Sequence, residues 1–494
     1  MDILLLALAQ IATPLSMVAI VAGTIVGVIV GVLPGLGSVL GLTMVLPFTF
    51  SMPQIPAIAL MLGVYCGSVY GGSITAVVLN TPGTPQSAAT AMEGFPMAQR
   101  GEADLAIGWI TTASLLGGLF SVLVLALAGP MLARFSLQFT PIEYFALALF
   151  AMTCIAGVSS GALAKGLIAG GLGVLVSTIG SDPVTGDMRF TFGSFQMTAG
   201  IGLIPVIVGL FAFSEMFLRT LKLDNDKTDA KDMRVGFRMP RLAEWKGRWG
   251  VLLRGSLIGS FVGALPGTGA ATAAFIAYSE ARRTSKHRDN FGKGEPDGLI
   301  ACESANNAVT GSALVPTLAL GIPGDPVTAV MLGALVIQGI APGPLLFVDH
   351  LDLIYAIFIA LVLVNLVMFA TGALGAPLFT RVLRIPEPIL IGLILVISTV
   401  GAYGVNGNLF DVWVAFGAGV VGAVMRYFSY PVAPVVIGMV LGPTLEMSLR
   451  QGLILGRGDP TVFFQRPIPV ILFIITAGIL LWPLIQMIRE RRAR

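Results

Sequence analysis

The pattern with the most chemical content occurs twice. Leu33-Pro34-Gly35-Leu36-Gly37 closes a ridge of glycines four apart (Gly23, Gly27, Gly31), and Leu265-Pro266-Gly267-Thr268-Gly269 closes another (Gly255, Gly259, Gly263). The two stretches stand at a constant offset of 232, and 8 of the 15 positions from Gly23 to Gly37 are identical. Glycines at this spacing let a second helix backbone approach closely, so packing is the first reading of each ridge. The closing motif breaks the helix, because Pro withdraws a donor and Gly admits unusual dihedrals. Beyond each break a half-helix starts, at Ser38 and at Ala270. Its first N–H groups have no intrahelical acceptor and sit at the positive end of the helix dipole. Such a terminus holds an anion without any cationic side chain.

A second pair of breaks is Asn80-Thr81-Pro82-Gly83-Thr84-Pro85-Gln86 and Gly321-Ile322-Pro323-Gly324-Asp325-Pro326. Two prolines around a glycine force unwound backbone, whose carbonyls can coordinate Na⁺ at membrane depth; a polar turn outside the bilayer is the competing reading. Asp325 stands where the first copy has Thr84, which makes it a cation or proton ligand in one half only. Glu303-Ser304-Ala305-Asn306-Asn307 opens an apolar block. Ionisable groups there serve ion or proton pathways, although the nearby charged loop equally allows an interfacial Glu303. The expected cation-binding set is Asn80, Thr81, Gly83, Thr84, Asn306, Asn307, Gly324 and Asp325. Lys165, Asp411 and Arg426 read as interfacial or paired. Glu215 and Glu446, equivalent in the two copies, read as helix caps or loop ion pairs.

These motifs need elements to position them, and composition says which. Of 494 residues, 55% are hydrophobic and only 11% charged, whereas soluble domains carry about 25% charged residues. No soluble surface can be covered with so few polar side chains. The fold class is therefore an all-α polytopic membrane protein, with room for about 10 to 14 membrane segments at roughly 20 residues per span. Between Asp2 and Glu93 there is no Asp, Glu, Lys, Arg or His. An anion bound by this half would depend on backbone N–H groups and hydroxyls. The apolar N-terminus lacks a basic region and reads as structural rather than as a cleaved signal.

Other classes fall away. A net charge of +3 with loop-borne basic residues gives no nucleic-acid surface. Cys66, Cys154 and Cys302 lie far apart, and His287 and His350 lack ligand-spaced neighbours, so no metal site is expected. There is no Walker A motif; an intramembrane enzyme is a third alternative, but the sequence has no recognisable nucleophile–base or metal set and no catalytic residues are expected.

The 232-residue match extends in order. Gly161, Gly171 and Gly173 answer Gly407, Gly417 and Gly419, and Pro205 with Glu215-Met216 answers Pro434 with Glu446-Met447. The chain divides into a first membrane repeat (1–222), a charged cytoplasmic linker (223–247) containing Asp224, Asn225, Asp226 and Lys227, a second repeat (248–449), and a C-terminal anchor helix with a basic tail (450–494). Nineteen of the 29 basic residues fall in 219–254, 280–297 and 489–494, which the positive-inside rule places in the cytoplasm. The segment 251–279 then enters and leaves on one side as a re-entrant hairpin; a full span is the alternative. The first-half counterpart of the basic loop 280–297 is the uncharged Pro47–Gln54, which favours inverted repeats. Paired halves with broken helices are the expected pattern of secondary transporters.

With the doubled Leu-Pro-Gly-x-Gly segments, Thr81-Pro82-Gly83-Thr84-Pro85, and Glu303-Ser304-Ala305-Asn306-Asn307 followed by Gly321-Ile322-Pro323-Gly324, the chain resembles the large membrane subunit of bacterial tripartite tricarboxylate transporters along essentially its whole length. The resemblance implies cation-gradient-driven import of tricarboxylates or related carboxylates across the inner membrane. It also implies a small integral membrane subunit and a periplasmic substrate-binding protein as partners, and no cofactor beyond a coupling Na⁺ or H⁺. Carried over to this sequence, the substrate loops are Pro34, Gly35 and Gly37 with Pro266, Gly267 and Gly269; donor chemistry adds Ser38, Thr268 and Thr272. The rival readings are a passive anion channel and a membrane scaffold without transport. Gly35→Leu or Gly267→Leu is expected to abolish uptake while leaving membrane insertion intact. Near-normal uptake by both variants would dismiss these loops as the site.

Overall fold

The structure is a computed structural model and describes residues 2–158, 163–221, 236–382 and 385–493. Gly161, the linker residues Asp224, Asn225, Asp226 and Lys227, and Arg494 lie outside the described residues. What is described is helical, apart from one two-residue strand pair, Gly180–Ser181 with Met188–Arg189, antiparallel in the register Gly180↔Arg189. Seven of the described helices are long and apolar enough to cross a membrane, from Pro14–Val32 to Leu409–Tyr427. Shorter apolar helices accompany them, among them Gly37–Thr49, Trp249–Ala264 and Pro326–Ile337. The chain is a multi-pass helical membrane protein.

The uncharged N-terminal stretch forms helices Pro14–Val32, Gly37–Thr49 and Gln54–Leu79. Thr13 starts the first of them, its hydroxyl accepting from Ser16 N with Pro14 in the first turn. The glycine ridge of this helix lies flat against Gln54–Leu79. A Cβ on Gly27 would stand 2.5 Å from the Val64 carbonyl oxygen, and on Gly23 or Gly31 it would run into the carbonyls of Leu60 or Ser68. Trp249–Ala264 repeats the arrangement against Pro296–Ser312, where Gly259 faces Ala305 and Gly263 faces Val309 and Ser312.

The breaks also match in geometry. Gly35 and Gly37 have φ of +76° and +72°; Gly267 and Gly269 have +81° and +69°. These are left-handed values that glycine adopts without steric cost. Each break turns the chain back, Pro14–Val32 onto Gly37–Thr49 and Trp249–Ala264 onto Gly269–Thr284. At an offset of 241, Asn80 (φ 55°) and Gly321 (φ 68°) are the left-handed ends of two long helical segments. Thr84 and Asp325 then start the next helical turns, each in reciprocal hydrogen bonding with the residue three further on, Ser87 or Thr328.

The two sequence halves interlock. Leu163–Ser177 packs on Ala433–Leu455, with Gly173 against the Val435 carbonyl. Leu409–Tyr427 packs on the π-helical turn Val208–Phe213, with Gly209 against the Ala415 carbonyl. The described end of the linker is docked rather than free: Trp245 lies between Trp109 (centroids 5.0 Å) and Trp249 (4.9 Å, stacked). Gly27→Val is expected to lose about 1–3 kcal/mol or more through overpacking, whereas Gly171→Ala, with nothing within 4 Å of the added carbon, stays near wild type. Thermal unfolding of the detergent-purified chain measures both.

Candidate functional site

The four breaks converge on one cavity of about 530 Å³. From the first comes Gly35 to Ser38, from the second Gly83 to Gln86, from the third Gly269 to Ala271, and from the fourth Asp325 to Val327. Each contributes the start of a helical segment: Gly37–Thr49, Gly269–Thr284, Pro326–Ile337, and the turn Pro85–Ser87 that runs on into Ala88–Gln99. The positive ends of these segments therefore lie around a shared space; the first-turn N–H groups after Gly37 and Gly269 lack intrahelical acceptors, whereas Pro85 and Pro326 carry no N–H and the Ser87 and Thr328 N–H groups are held by Thr84 and Asp325.

Side chains add to this field. Gln86 Nε2 donates to Ser38 Oγ at 3.1 Å, tying the first break to the second. Asp325 is buried; Tyr65 OH donates to its Oδ2 at 2.5 Å and the Thr328 N–H donates to its Oδ1 at 2.7 Å. Glu215 and Arg426 also line the cavity and are paired across the two halves at 2.6 Å. Behind them Arg219 donates to Glu215 at 3.0 Å, to Glu387 at 3.1 Å and to the Pro34 carbonyl at 2.6 Å, bracing the first break. Arg426 Nε is buried without a protein partner.

Of the expected substrate residues, Gly35, Gly37, Ser38 and Gly269 reach the cavity. Pro34 contributes the carbonyl held by Arg219. Pro266, Gly267, Thr268 and Thr272 stand off the cavity wall. The Gly267 N–H donates to the Gly324 carbonyl at 2.7 Å, and the Thr268 hydroxyl to the Leu265 carbonyl at 3.0 Å, so both support the break itself. Of the expected cation ligands, Gly83, Thr84 and Asp325 line the cavity. Asn80 and Thr81 are exposed and away from it, because the left-handed turn that ends their helix carries them outward. The Gly324 carbonyl is already taken by Gly267. Asn306 and Asn307 are fully buried in Pro296–Ser312, outside the cavity lining.

Sequence reasoning missed Tyr65, Gln86 and the cavity-facing role of Glu215 and Arg426. Arg426 was expected to be interfacial or paired, and it is paired; its partner lies 211 residues away, and no spacing rule signals such a contact. Glu446 keeps the loop ion pair expected for it, to Arg189 at 2.7 Å. Lys165 donates to the Phe428 carbonyl at 2.7 Å, and Asp411 accepts from Asn406 at 2.8 Å.

A family model described as "Tripartite tricarboxylate transporter TctA family" matches residues 17–437. An uncharacterized 52.8 kDa protein in the TAR-I ttuC' 3' region of Agrobacterium vitis is 35% identical over 480 residues, 97% of this chain and 95% of that protein. An uncharacterized protein in the TAR-II ttuC' 3' region of the same organism is 36% identical over 234 residues, 47% of this chain and 97% of that protein. No solved structure matches.

Tyr65→Phe removes the hydroxyl donor to Asp325 and leaves a buried carboxylate oxygen short of a partner. A loss of about 1–3 kcal/mol is expected, read as a lower unfolding temperature than wild type, and Asp325→Asn is expected to offset part of it.

Proposed function

The chain belongs to the tripartite tricarboxylate transporter TctA family, a family of transporter subunits working with partner subunits, and from that premise we propose that it is the translocating subunit of a cation-coupled symporter for tricarboxylates. It sits in the inner membrane, receives its substrate from a periplasmic binding protein, and works beside a small integral membrane subunit. The observation that carries this reading is the cavity where four helical starts converge with Arg426.

The electrostatics favour both halves of the proposal. Helix N-termini and Arg426 attract carboxylates, and the Gly37 and Gly269 helix starts offer a polyanion N–H donors from two segments. Arg426 is already neutralised by Glu215, and Asp325 adds a further acid. Two carboxylates and one guanidinium give the lining no surplus of side-chain positive charge. A tricarboxylate entering such a space carries its excess negative charge into a low-dielectric interior, which is costly unless cations travel with it. Symport meets that requirement by carrying cations together with the substrate.

The proposed site also allows Arg426 to exchange partners. An incoming carboxylate competes with Glu215 for the guanidinium, while Arg219 holds Glu215 and the Pro34 loop in place. Inverted repeats would then let the same cavity face either side of the membrane through equivalent movements of the two halves.

The test is citrate uptake into proteoliposomes holding the transporter with its partner subunits, with Na⁺ and H⁺ gradients imposed separately. Gradient-dependent accumulation is expected, and Arg426→Gln should reduce it at least tenfold. Accumulation absent under both gradients, or citrate flux indifferent to them, would refute symport.

A further inference from the structure

The structure holds a second buried polar site, away from the cavity lining, centred on Glu303. Its carboxylate is fully buried and accepts from three hydroxyls on three other helices: Ser73 on Gln54–Leu79 at 2.6 Å, Thr90 on Ala88–Gln99, and Ser114 on Ala103–Ser136 at 2.8 Å. Asn307, one turn along from Glu303, donates its amide N–H to Ser114 Oγ at 2.8 Å. No Lys, Arg or His pairs with Glu303 among the described residues. Titratable groups on the packed helices include Cys302 and Asp297 on its own helix, Tyr65, Cys66 and Tyr70 on Gln54–Leu79, with Tyr70 hydrogen-bonded to Thr111, Glu93 on Ala88–Gln99, hydrogen-bonded to Tyr278, and Asp104 and Arg134 on Ala103–Ser136.

Packing does not require this polarity. At the 241 offset set by the paired helix ends, Glu303 corresponds to Leu62, Ser73 to Leu314 and Thr90 to Met331. All three are buried within the main apolar core. The positions that answer Glu303 and two of its three hydroxyl partners therefore carry hydrocarbon in the other half. A carboxylate without a counter-charge in such a place is expensive unless it gains a cation.

We propose that Glu303 is the proton-carrying group of the transporter, with Ser73, Thr90, Ser114 and Asn307 as its relay; this rests on the symport reading above and names its coupling ion. The spacing selects the proton. Oxygens that ligate a metal ion stand about 2.3–2.6 Å from it, as around Ca²⁺, and so about 3 Å or more from one another. Ser73 and Ser114 instead sit 2.6 and 2.8 Å from the carboxylate oxygens, within direct hydrogen-bond range and without room for an ion between them.

Two hydrogen-bond states follow. In the ionised state, Asn307 N–H donates to Ser114 and Ser114 O–H donates to Glu303. Protonation forms one O–H bond on Glu303, with the proton drawn from water on the outward side. The acid then donates to Ser114, whose own O–H needs a new acceptor. Asn307 Oδ1, buried and without a partner, supplies one when the amide turns over. Release breaks the same O–H bond and returns the proton to water on the inward side. The elements that sense this change carry Tyr65 and Val69, and lead out of the Pro85-Gln86 turn, so the relay is wired to the walls of the cavity.

The test uses the full chain reconstituted with its partner subunits, with citrate as probe and a pH-sensitive dye recording proton movement at clamped voltage. Wild type should take up protons with citrate, follow an inward H⁺ gradient, and ignore a Na⁺ gradient at fixed pH. Glu303→Gln keeps an oxygen acceptor for the hydroxyls and should lose at least tenfold in H⁺-driven uptake; Glu303→Asp should restore part of it. Wild-type citrate flux that follows Na⁺, or that moves no protons, overturns the Glu303 assignment while symport or transport stands, and it does so whether or not the variants fold. Full H⁺-driven uptake by Glu303→Gln overturns it as well. No citrate flux in wild type under either gradient defeats the transport reading itself, and the assignment with it.

Discussion

Backbone N–H and C=O groups inside a bilayer have no water to turn to, and every interruption of a helix must be satisfied by protein. The breaks of this chain answer that demand with partners from another break, from a neighbouring helix turn or from a side chain. Gly267 donates to the Gly324 carbonyl, Gly83 donates to the Gly72 carbonyl, and Arg219 holds the carbonyl of Pro34. Such contacts are possible only because the glycine ridges bring Pro14–Val32 and Trp249–Ala264 into backbone contact with their partner helices. Close packing at the ridges thus sets where the breaks lie, and the breaks set where unpaired helix starts can face a common space.

On the function proposed above, the cavity's attraction for anions comes chiefly from peptide dipoles. Its one guanidinium is committed to Glu215, and Asp325 is held by Tyr65 and by the first turn of its own helix. A site made this way has fixed positive ends that cost no reorganisation when an anion arrives. It also has no surplus of side-chain cations, which leaves the charge of a polyanion to be balanced from elsewhere. Glu303 offers one such place, set in a frame of hydroxyls where the matching half carries leucine and methionine.

Much of this was legible in the sequence because it depends on local rules. Glycine spacing and the Pro-Gly breaks follow from helix geometry, the two offsets are read from the repeated motifs, and the paired positive φ values of Gly35, Gly37, Gly267 and Gly269 are what such motifs require. Long-range pairing was not legible. Tyr65 reads as one aromatic in an apolar helix until the fold sets its hydroxyl on Asp325, 260 residues away. The Glu215–Arg426 pair joins elements that interlock across the halves, and Asn80 and Thr81 leave the cavity because a left-handed cap turns them outward. Glu303 could be read equally well as interfacial or as part of an ion or proton pathway; its full burial against three hydroxyls from three helices rules out the interfacial reading.

The most direct check of the central claim is an experimental structure of the transporter with citrate bound. Density for the tricarboxylate is expected between the Gly37 and Gly269 helix starts, with a carboxylate within hydrogen-bond distance of Arg426. Citrate bound elsewhere in the chain, with this cavity holding only water, would contradict the account.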